Sequence, residues 1–255
     1  MKDSLGDRMK TYEKAGRTYL TRRTPVIVRI DGRAFHNFTR GFHRPFDDVL
    51  INAMQLTMLD LCYNIQNCVL GYTQSDEISL VLCDYKKRDT SAWFDNQVQK
   101  ICSTSAALAT IFFNRHFEAT IKQFDSSGCL SKEDREIYEN ALKKNPTFDS
   151  RCFNLPKEEV CNYFIWRQQD ATRNSIQMAA QSMFSHKELQ GLSCNEQQNL
   201  MLTERDFNWN TLPFEKRRGS CAIKVLSVWA VDGNIPIFTM NRDYIESRIV
   251  FNGDD

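Results

Sequence analysis

Apolar residues follow different spacings in successive stretches of the chain. Pro25 to Ile30 is a short, β-branched run bounded by turn residues, the pattern of a buried strand, and it stops at Asp31-Gly32. In "DDVLINAMQLTMLDLCYNI" the spacing becomes helical. Leu50, Ile51, Met54, Met58, Leu61, Cys62 and Ile65 form one stripe, and Asp47 and Asp48 stand at the end where a helix is positive. Cys68 to Thr73 and Glu77 to Cys83 read as two strands joined by a tight polar turn, hence a hairpin. Asp89-Thr90-Ser91 offers a cap for a long helix through about Phe113, with Phe94, Val98, Ile101 and Leu108 on its apolar side.

Strand, helix, strand, strand, helix is the order of a ferredoxin-like split βαβ unit, an antiparallel sheet with helices on one face. Polymerase and cyclase palms share this layout. The expected fold class is therefore α+β, with a palm-like core over residues 1–124. A helical and mixed extension over 125–255 completes one compact unit. Asp125 to Arg151 is polar and turn-rich around a short helical piece, as in a surface excursion. A helix starts near Pro156, and its Tyr163, Phe164, Trp166 and Ile176 supply apolar bulk, with Phe164 and Trp166 expected in the core. Ser220 to Asp232 reads as one strand of alternating exposure, entered by a turn at Arg217-Arg218-Gly219.

Composition narrows the class more than the function. The chain has 255 residues, 42% hydrophobic and 25% charged, and a formal charge of +1, so no global charge points to nucleic acid. Basic clusters at Arg22-Arg23, Lys86-Lys87-Arg88 and Lys216-Arg217-Arg218 each read, taken alone, as solvated faces. The nine cysteines include no C-x-x-C pair and the four histidines lack metal spacing. That argues against a disulfide frame or a zinc site and for reduced thiols in a cytosolic compartment. The charged N-terminus lacks the apolar core of a secretory signal, and no apolar run approaches the ~20 residues that span a bilayer. A soluble, cytoplasmic protein without a membrane partner is the expectation.

Two acidic positions stand out. In the split βαβ layout the first strand and the hairpin are neighbours, so Asp31 at the end of one and Asp76 in the turn of the other converge. Carboxylates held close repel unless one is protonated or a cation lies between them. Magnesium suits the second solution, because it accepts one or two carboxylates together with substrate phosphates. Gly32 permits close backbone approach and offers its carbonyl, and the N–H groups from Arg33 to His36 are placed to cradle phosphate oxygens. A pair of ions ~3.5–4 Å apart would activate an attacking oxygen and stabilise a leaving one. Asp-Gly and Ser-Asp-Glu are also ordinary turn sequences. The residues alone therefore support a two-metal nucleotidyl site without settling it.

"DGRAFHNF", "RPFDD", "GYTQSDEIS" and "WRQQDATRNS", in that order, resemble the tRNA(His) guanylyltransferase superfamily of 3′-to-5′ nucleotide polymerases, from the N-terminus to at least Phe184. The resemblance implies a palm with two magnesium ions, held by Asp31, Asp76 and the Gly32 carbonyl. Residues Asp31, Gly32, Arg33, Ala34, Phe35 and His36, with Ser75 and Asp76, match positions that hold a nucleotide and its triphosphate. Glu77 matches a supporting acidic residue, so Asp31, Asp76 and Glu77 form the implied catalytic set. Lys100 and Ser103 fall where the family has a basic residue and a hydroxyl near the triphosphate. Arg167, Gln168, Asp170, Arg173 and Asn174 recur at helical spacing as one polar face, a candidate contact for the activating nucleotide or the tRNA end. Arg217 and Arg218 are candidate contacts to the RNA backbone.

The implied chemistry adds nucleotides to an RNA 5′ end, with ATP and GTP or other nucleoside triphosphates as substrates and tRNA as partner. ATP first adenylylates a 5′-monophosphate; the 3′-hydroxyl of the incoming nucleotide then attacks that end and expels AMP. No covalent protein nucleophile is needed, in keeping with a chain without a Ser-His-Asp or Cys-His signature. One departure bears on the branch. The stretch Ala171 to Gln177 lacks the histidine of the eukaryotic "HINNLYN" block, although Asn174 remains. The resemblance therefore points to the guanylyltransferase-like branch and template-directed repair of truncated tRNA, in a homotetramer. Guanylate addition at the −1 position of tRNA(His), a palm-type nucleotide cyclase and a non-catalytic RNA-binding palm are the alternatives.

Overall fold

The computed structural model describes residues 4–87 and 89–250. Arg88, the third member of one basic cluster, lies outside them, as do the first three residues of the charged N-terminus. Helix α1 (Leu5–Ala15), capped by Ser4, buries none of its residues. Strand β1 (Val26–Gly32) is buried as the sequence predicts, but it continues through Asp31 and Gly32 instead of closing before them. One helical turn, α2 (Phe35–Phe38), leads to α3 (Asp48–Asn64), where Asp47 caps the helix by accepting the Leu50 N–H at 2.8 Å. Strands β2 (Cys68–Gln74) and β3 (Glu77–Leu82) form the expected hairpin around Ser75-Asp76. Helices α4 (Val98–Ser126) and α5 (Lys132–Leu142) come next, then β4 (Phe148–Asn154) and the 27-residue α6 (Lys157–Met183). The chain ends with α7 (His186–Leu189), α8 (Cys194–Arg205), α9 (Phe214–Arg218), β5 (Ser220–Val225), β6 (Val228–Asp232) and α10 (Asp243–Glu246).

All six strands join one antiparallel sheet in the order β4-β1-β3-β2-β5-β6. The two-residue period of a strand sends alternate side chains to opposite faces. Val26, Val28 and Ile30 of β1 pack with Met54, Met58, Phe113 and Phe117 of α3 and α4. Ile27 packs on the other side with Val160 and Phe164 of α6. Helices therefore cover both faces, where the element order led us to expect one. Both sides of this sheet are apolar, so each must be covered.

Several expected elements move. Phe94, Asp95 and Asn96 adopt φ of 50°, 55° and 61°. Successive left-handed residues cannot propagate a right-handed helix. Asp89 to Ser91 therefore caps nothing, and α4 starts at Val98 and runs to Ser126. The polar middle returns as an edge strand, since β4 pairs along the whole of β1 from Val26↔Asn154 to Gly32↔Phe148. It is not all surface either: Tyr138 of α5 is buried and donates to Asp47 at 2.7 Å. Ser220 to Asp232 is a hairpin, turned by Leu226 and Ser227 at φ of 48° and 70°. Trp166 is 50% exposed, while Phe164 is fully buried. A boundary after residue 124 falls inside α4, and β4 to β6 share the sheet of the first half.

Candidate active site

Asp31 occupies a strand position whose direct cross-strand neighbours are Glu77 on β3 and Asp149 on β4. Residues directly opposite share a face of the sheet, and like charges so placed repel. Arg29, two positions back on the same face, answers this row. Its guanidinium lies 2.7 Å from Glu77 and 3.6 Å from Asp31, and Arg151 approaches Asp31 at 4.0 Å. Arg167 on α6 reaches Glu77 from above at 3.0 Å and is itself buried. Burial raises the Glu77 pKa, against the pull of Arg167 and Arg29.

Asp76 sits in the turn next to this row. The Gly32 N–H donates to the Asp76 carbonyl at 3.0 Å, tying the end of β1 to the hairpin turn. Ser75 takes a left-handed conformation (φ 50°) and its hydroxyl donates to the Asp76 carboxylate at 3.2 Å. Burial first, then the charge of Asp31, raises the Asp76 pKa. Among the described residues no Lys, Arg or His forms an ion pair with Asp76, and no group of three or more His, Cys, Asp or Glu gathers into a protein-only cage. Two mutually repelling carboxylates beside a backbone bend fit an ion that draws most of its oxygens from water and substrate, as magnesium does.

Gly32 is required where it stands. A Cβ there would lie 2.4 Å from the Phe35 ring. That ring anchors the segment in an aromatic cluster, with centroids 5.0 Å from Phe38, 5.4 Å from Phe113 and 5.1 Å from Phe148. The Arg33 N–H is used by the Thr147 carbonyl at 2.9 Å. The N–H groups of Ala34, Phe35 and His36, at the first turn of α2, have no acceptor within that helix. All three residues line a cavity of about 600 Å³ that Asp76, Ser75 and Gly32 also rim. Arg33 is exposed outside it.

The remaining expected residues divide. Asn174 on α6 and Arg217 on α9 line the cavity. Arg167 does not present a phosphate contact: with Gln168 it points into the interior, where Gln168 bonds the Pro236 carbonyl at 2.9 Å and the Phe238 N–H at 2.9 Å. The single polar face expected on α6 is thus split between core and surface. Arg173 is exposed and, like Arg167, donates to Asp170. Arg218 is held by its carbonyl, which accepts from the Tyr72 hydroxyl at 2.7 Å.

Lys100 and Ser103 are not brought to this site. Down α4, Cys102 meets Cys152, Ser105 meets Ser150 and Thr110 meets Phe148. Because Phe148 pairs with Gly32 and Asn154 with Val26, α4 begins at the opposite end of β1 from Asp31. Ser103 stops roughly two turns, ~10 Å, short of Thr110. Arg44, His43 and Asp47 of the loop before α3 and Lys216 of α9 also line the cavity. None was singled out as a site residue from the sequence, although "RPFDD" carried part of the resemblance.

The family model described as Thg1, tRNAHis guanylyltransferase, matches residues 6–156, more than half of the chain. A solved bacterial tRNA(His) guanylyltransferase (Thg1)-like protein in complex with ATP is 46% identical with a TM-score of 0.86, over 97% of this chain and 100% of that one. The solved complex with GTP is 41% identical with a TM-score of 0.78, over the same shares. A probable tRNA(His) guanylyltransferase of Dictyostelium discoideum is 27% identical over 88% of this chain and 84% of its own.

Proposed function

The chain belongs to the tRNA(His) guanylyltransferase family, whose members are nucleotidyltransferases, and from that premise we propose that it repairs 5′-truncated tRNA by templated 3′-to-5′ nucleotide addition. The observation that carries this reading is the placement of Asp76, within reach of the charge of Asp31, on a cavity lined also by Ala34 to His36, Arg44 and Arg217. Such a cavity sets the Asp76 carboxylate beside donors for phosphate, with Asp47 and Glu215 also on its wall. Two solved complexes of bacterial Thg1-like protein, one with ATP and one with GTP, support its use for a nucleoside triphosphate.

In the first step an oxygen of the RNA 5′-monophosphate attacks the α-phosphorus of ATP and pyrophosphate leaves. In the second the 3′-hydroxyl of the incoming nucleotide attacks the activated 5′ phosphorus and AMP leaves. Asp31, Asp76 and the Gly32 carbonyl would hold magnesium, which when bound supplies charge neutralisation and lowers the pKa of an attacking oxygen. The chain's own groups position the phosphates. N–H groups of Ala34, Phe35 and His36 and the side chains of Arg44 and Arg217 offer donors fixed before the substrate arrives, the arrangement that favours developing charge. Glu77, engaged by two guanidiniums, fixes the turn that aims Asp76. A homotetramer belongs to the same proposal, checked by light scattering in solution.

The departure at Ala171 to Gln177 favours repair over guanylate addition at −1. A tRNA lacking its first nucleotide and bearing a 5′-monophosphate, offered ATP, magnesium and each nucleotide in turn, separates them. Addition that follows the opposing base is the expected result. Guanylate added only to full-length tRNA(His) would overturn the repair reading. Product from nucleotides without RNA would favour a cyclase instead.

A further inference from the structure

Arg217 is 8% exposed, its Nε has no partner, and among the described residues no carboxylate forms an ion pair with it. The neighbouring Lys216 is by contrast paired with Asp48 at 2.6 Å. A buried guanidinium is ordinarily paired, because its desolvation is otherwise uncompensated. Here it is supported only by aromatic faces, lying 4.4 Å from the centroid of Phe214 and 5.6 Å from that of Trp209. Burial lowers its pKa, with no acid acting against that.

The surroundings hold this group in place. The Ser175 hydroxyl donates to the Lys216 carbonyl at 2.7 Å and accepts from the Trp209 indole at 2.9 Å, which fastens α9 to α6. Gly219, at φ 80°, lets the chain turn into β5 against β2, where a Cβ would lie 2.4 Å from the Thr73 carbonyl. Thr73 precedes the hairpin turn by one residue, Gln74, so Arg217 is fixed close to Ser75 and Asp76, on the same cavity.

We propose that Arg217 is a built seat for a phosphate group, completing the cavity from the α9 side as Asp76 completes it from the sheet. This rests on the reading of the cavity as the place where nucleotide and RNA end meet, and it names what Arg217 holds there. A planar guanidinium stacked on rings and largely withdrawn from water suits bidentate recognition of phosphate oxygens. The phosphate belongs either to the nucleotide's triphosphate or to the RNA 5′ end.

The test uses the full chain and Arg217→Met, which keeps length and apolar packing and removes the charge. Without added anion the variant should melt at or above the wild-type temperature, since it loses an unpaired buried charge. Inorganic tripolyphosphate should raise the wild-type Tm and leave the variant's unmoved. Affinities for ATP, and for tRNA with a 5′-monophosphate against a 5′-hydroxyl, are then compared. A loss of about ten- to a hundredfold for ATP assigns the triphosphate. Unchanged ATP affinity, with loss of the preference for the 5′-monophosphate, assigns the RNA end. A wild-type tripolyphosphate shift with both affinities within twofold overturns the seat. If Arg217→Met does not fold, Arg217→Lys keeps the charge without the fork, and wild-type affinities in it overturn the seat equally. None of these readouts needs turnover. A chain that binds as described but adds no nucleotide would therefore strike the proposed activity and not the seat.

Discussion

Glu77 and Arg167 are an ion pair taken almost wholly out of water, with side chains 5% and 4% exposed. Removing Arg167 leaves the buried Glu77 charge to Arg29 alone, with part of its desolvation no longer offset. Arg167→Met is expected to lower unfolding free energy by about 3 kcal/mol, read by urea denaturation. Adding Glu77→Leu should recover part of that loss, and strict additivity of the two changes would contradict the pairing. Asp76 behaves oppositely in the metal-free protein, where burial and Asp31 both work against its charge. Glu77 entered through the family resemblance, whereas the two aspartates were legible as a candidate pair from type and order, one ending a β-branched run and the other in a hairpin turn. Arg167 was not, because helical spacing cannot tell whether a polar residue faces water or a buried glutamate. Arg217 was legible as a basic residue before a strand and a candidate RNA-backbone contact, but not as a buried one, because its burial follows from the packing of α9 on Trp209.

Elements place these residues and account for the misreadings. The turn carrying Ala34 to His36 is anchored by Phe35 and Phe38 against Phe113 of α4, at ring distances of 5.4 and 5.6 Å. Phe113→Ala should cost about 3–5 kcal/mol. It should also raise KM for nucleotide, because the segment proposed to cradle phosphate loses its support; an unchanged KM would separate the cluster from the site. Strands whose outer face is polar were the hardest to read. "FDSRCFN" alternates as an edge strand must, yet its Asp149, Ser150 and Arg151 look like loop. The β5–β6 turn uses Leu226 and Ser227 at positive φ with no glycine or asparagine to announce it. Two later helices, α7 and α8, open on Ser-x-x-Glu capping boxes. Ser185 and Ser193 hold Glu188 and Glu196 below the ordinary glutamate pKa through hydrogen bonds that the unfolded chain lacks. A carboxyl whose folded pKa is lowered adds stability above the unfolded value, about 4.3, and loses it as pH falls through the folded one. Glu196→Gln should therefore lower Tm at pH 7, and the two proteins should converge as pH falls below the folded pKa of Glu196.

For the whole molecule, helices cover both faces of one sheet, and the carboxylate row of Asp31, Glu77 and Asp149 lies at the end of the sheet where β1 meets the β2–β3 turn. The second half of the chain supplies β4 beside Asp31 and α6 and α9 around the cavity, so the site depends on residues far apart in sequence. That dependence is why the first five elements point to the two aspartates, while on the far wall Asn174 and Arg217 stand out only as candidate contacts and Lys216 not as a site residue at all. No helix among the described residues is long and apolar enough to cross a membrane. The account stands on Asp31 and Asp76 sharing one magnesium-dependent centre. It is tested most directly by 5′ extension of a truncated, 5′-monophosphorylated tRNA by wild type and Asp76→Asn across a magnesium titration, with the metal-free Tm of each recorded alongside. The account predicts a loss of roughly a thousandfold or more at every magnesium concentration, the equivalent of several kcal/mol of transition-state stabilisation. It also predicts a metal-free Tm at or above that of the wild type, because a repelling carboxylate has gone. Asp76→Asn that extends the RNA within tenfold of wild type, or that loses activity only because it no longer folds, would contradict it.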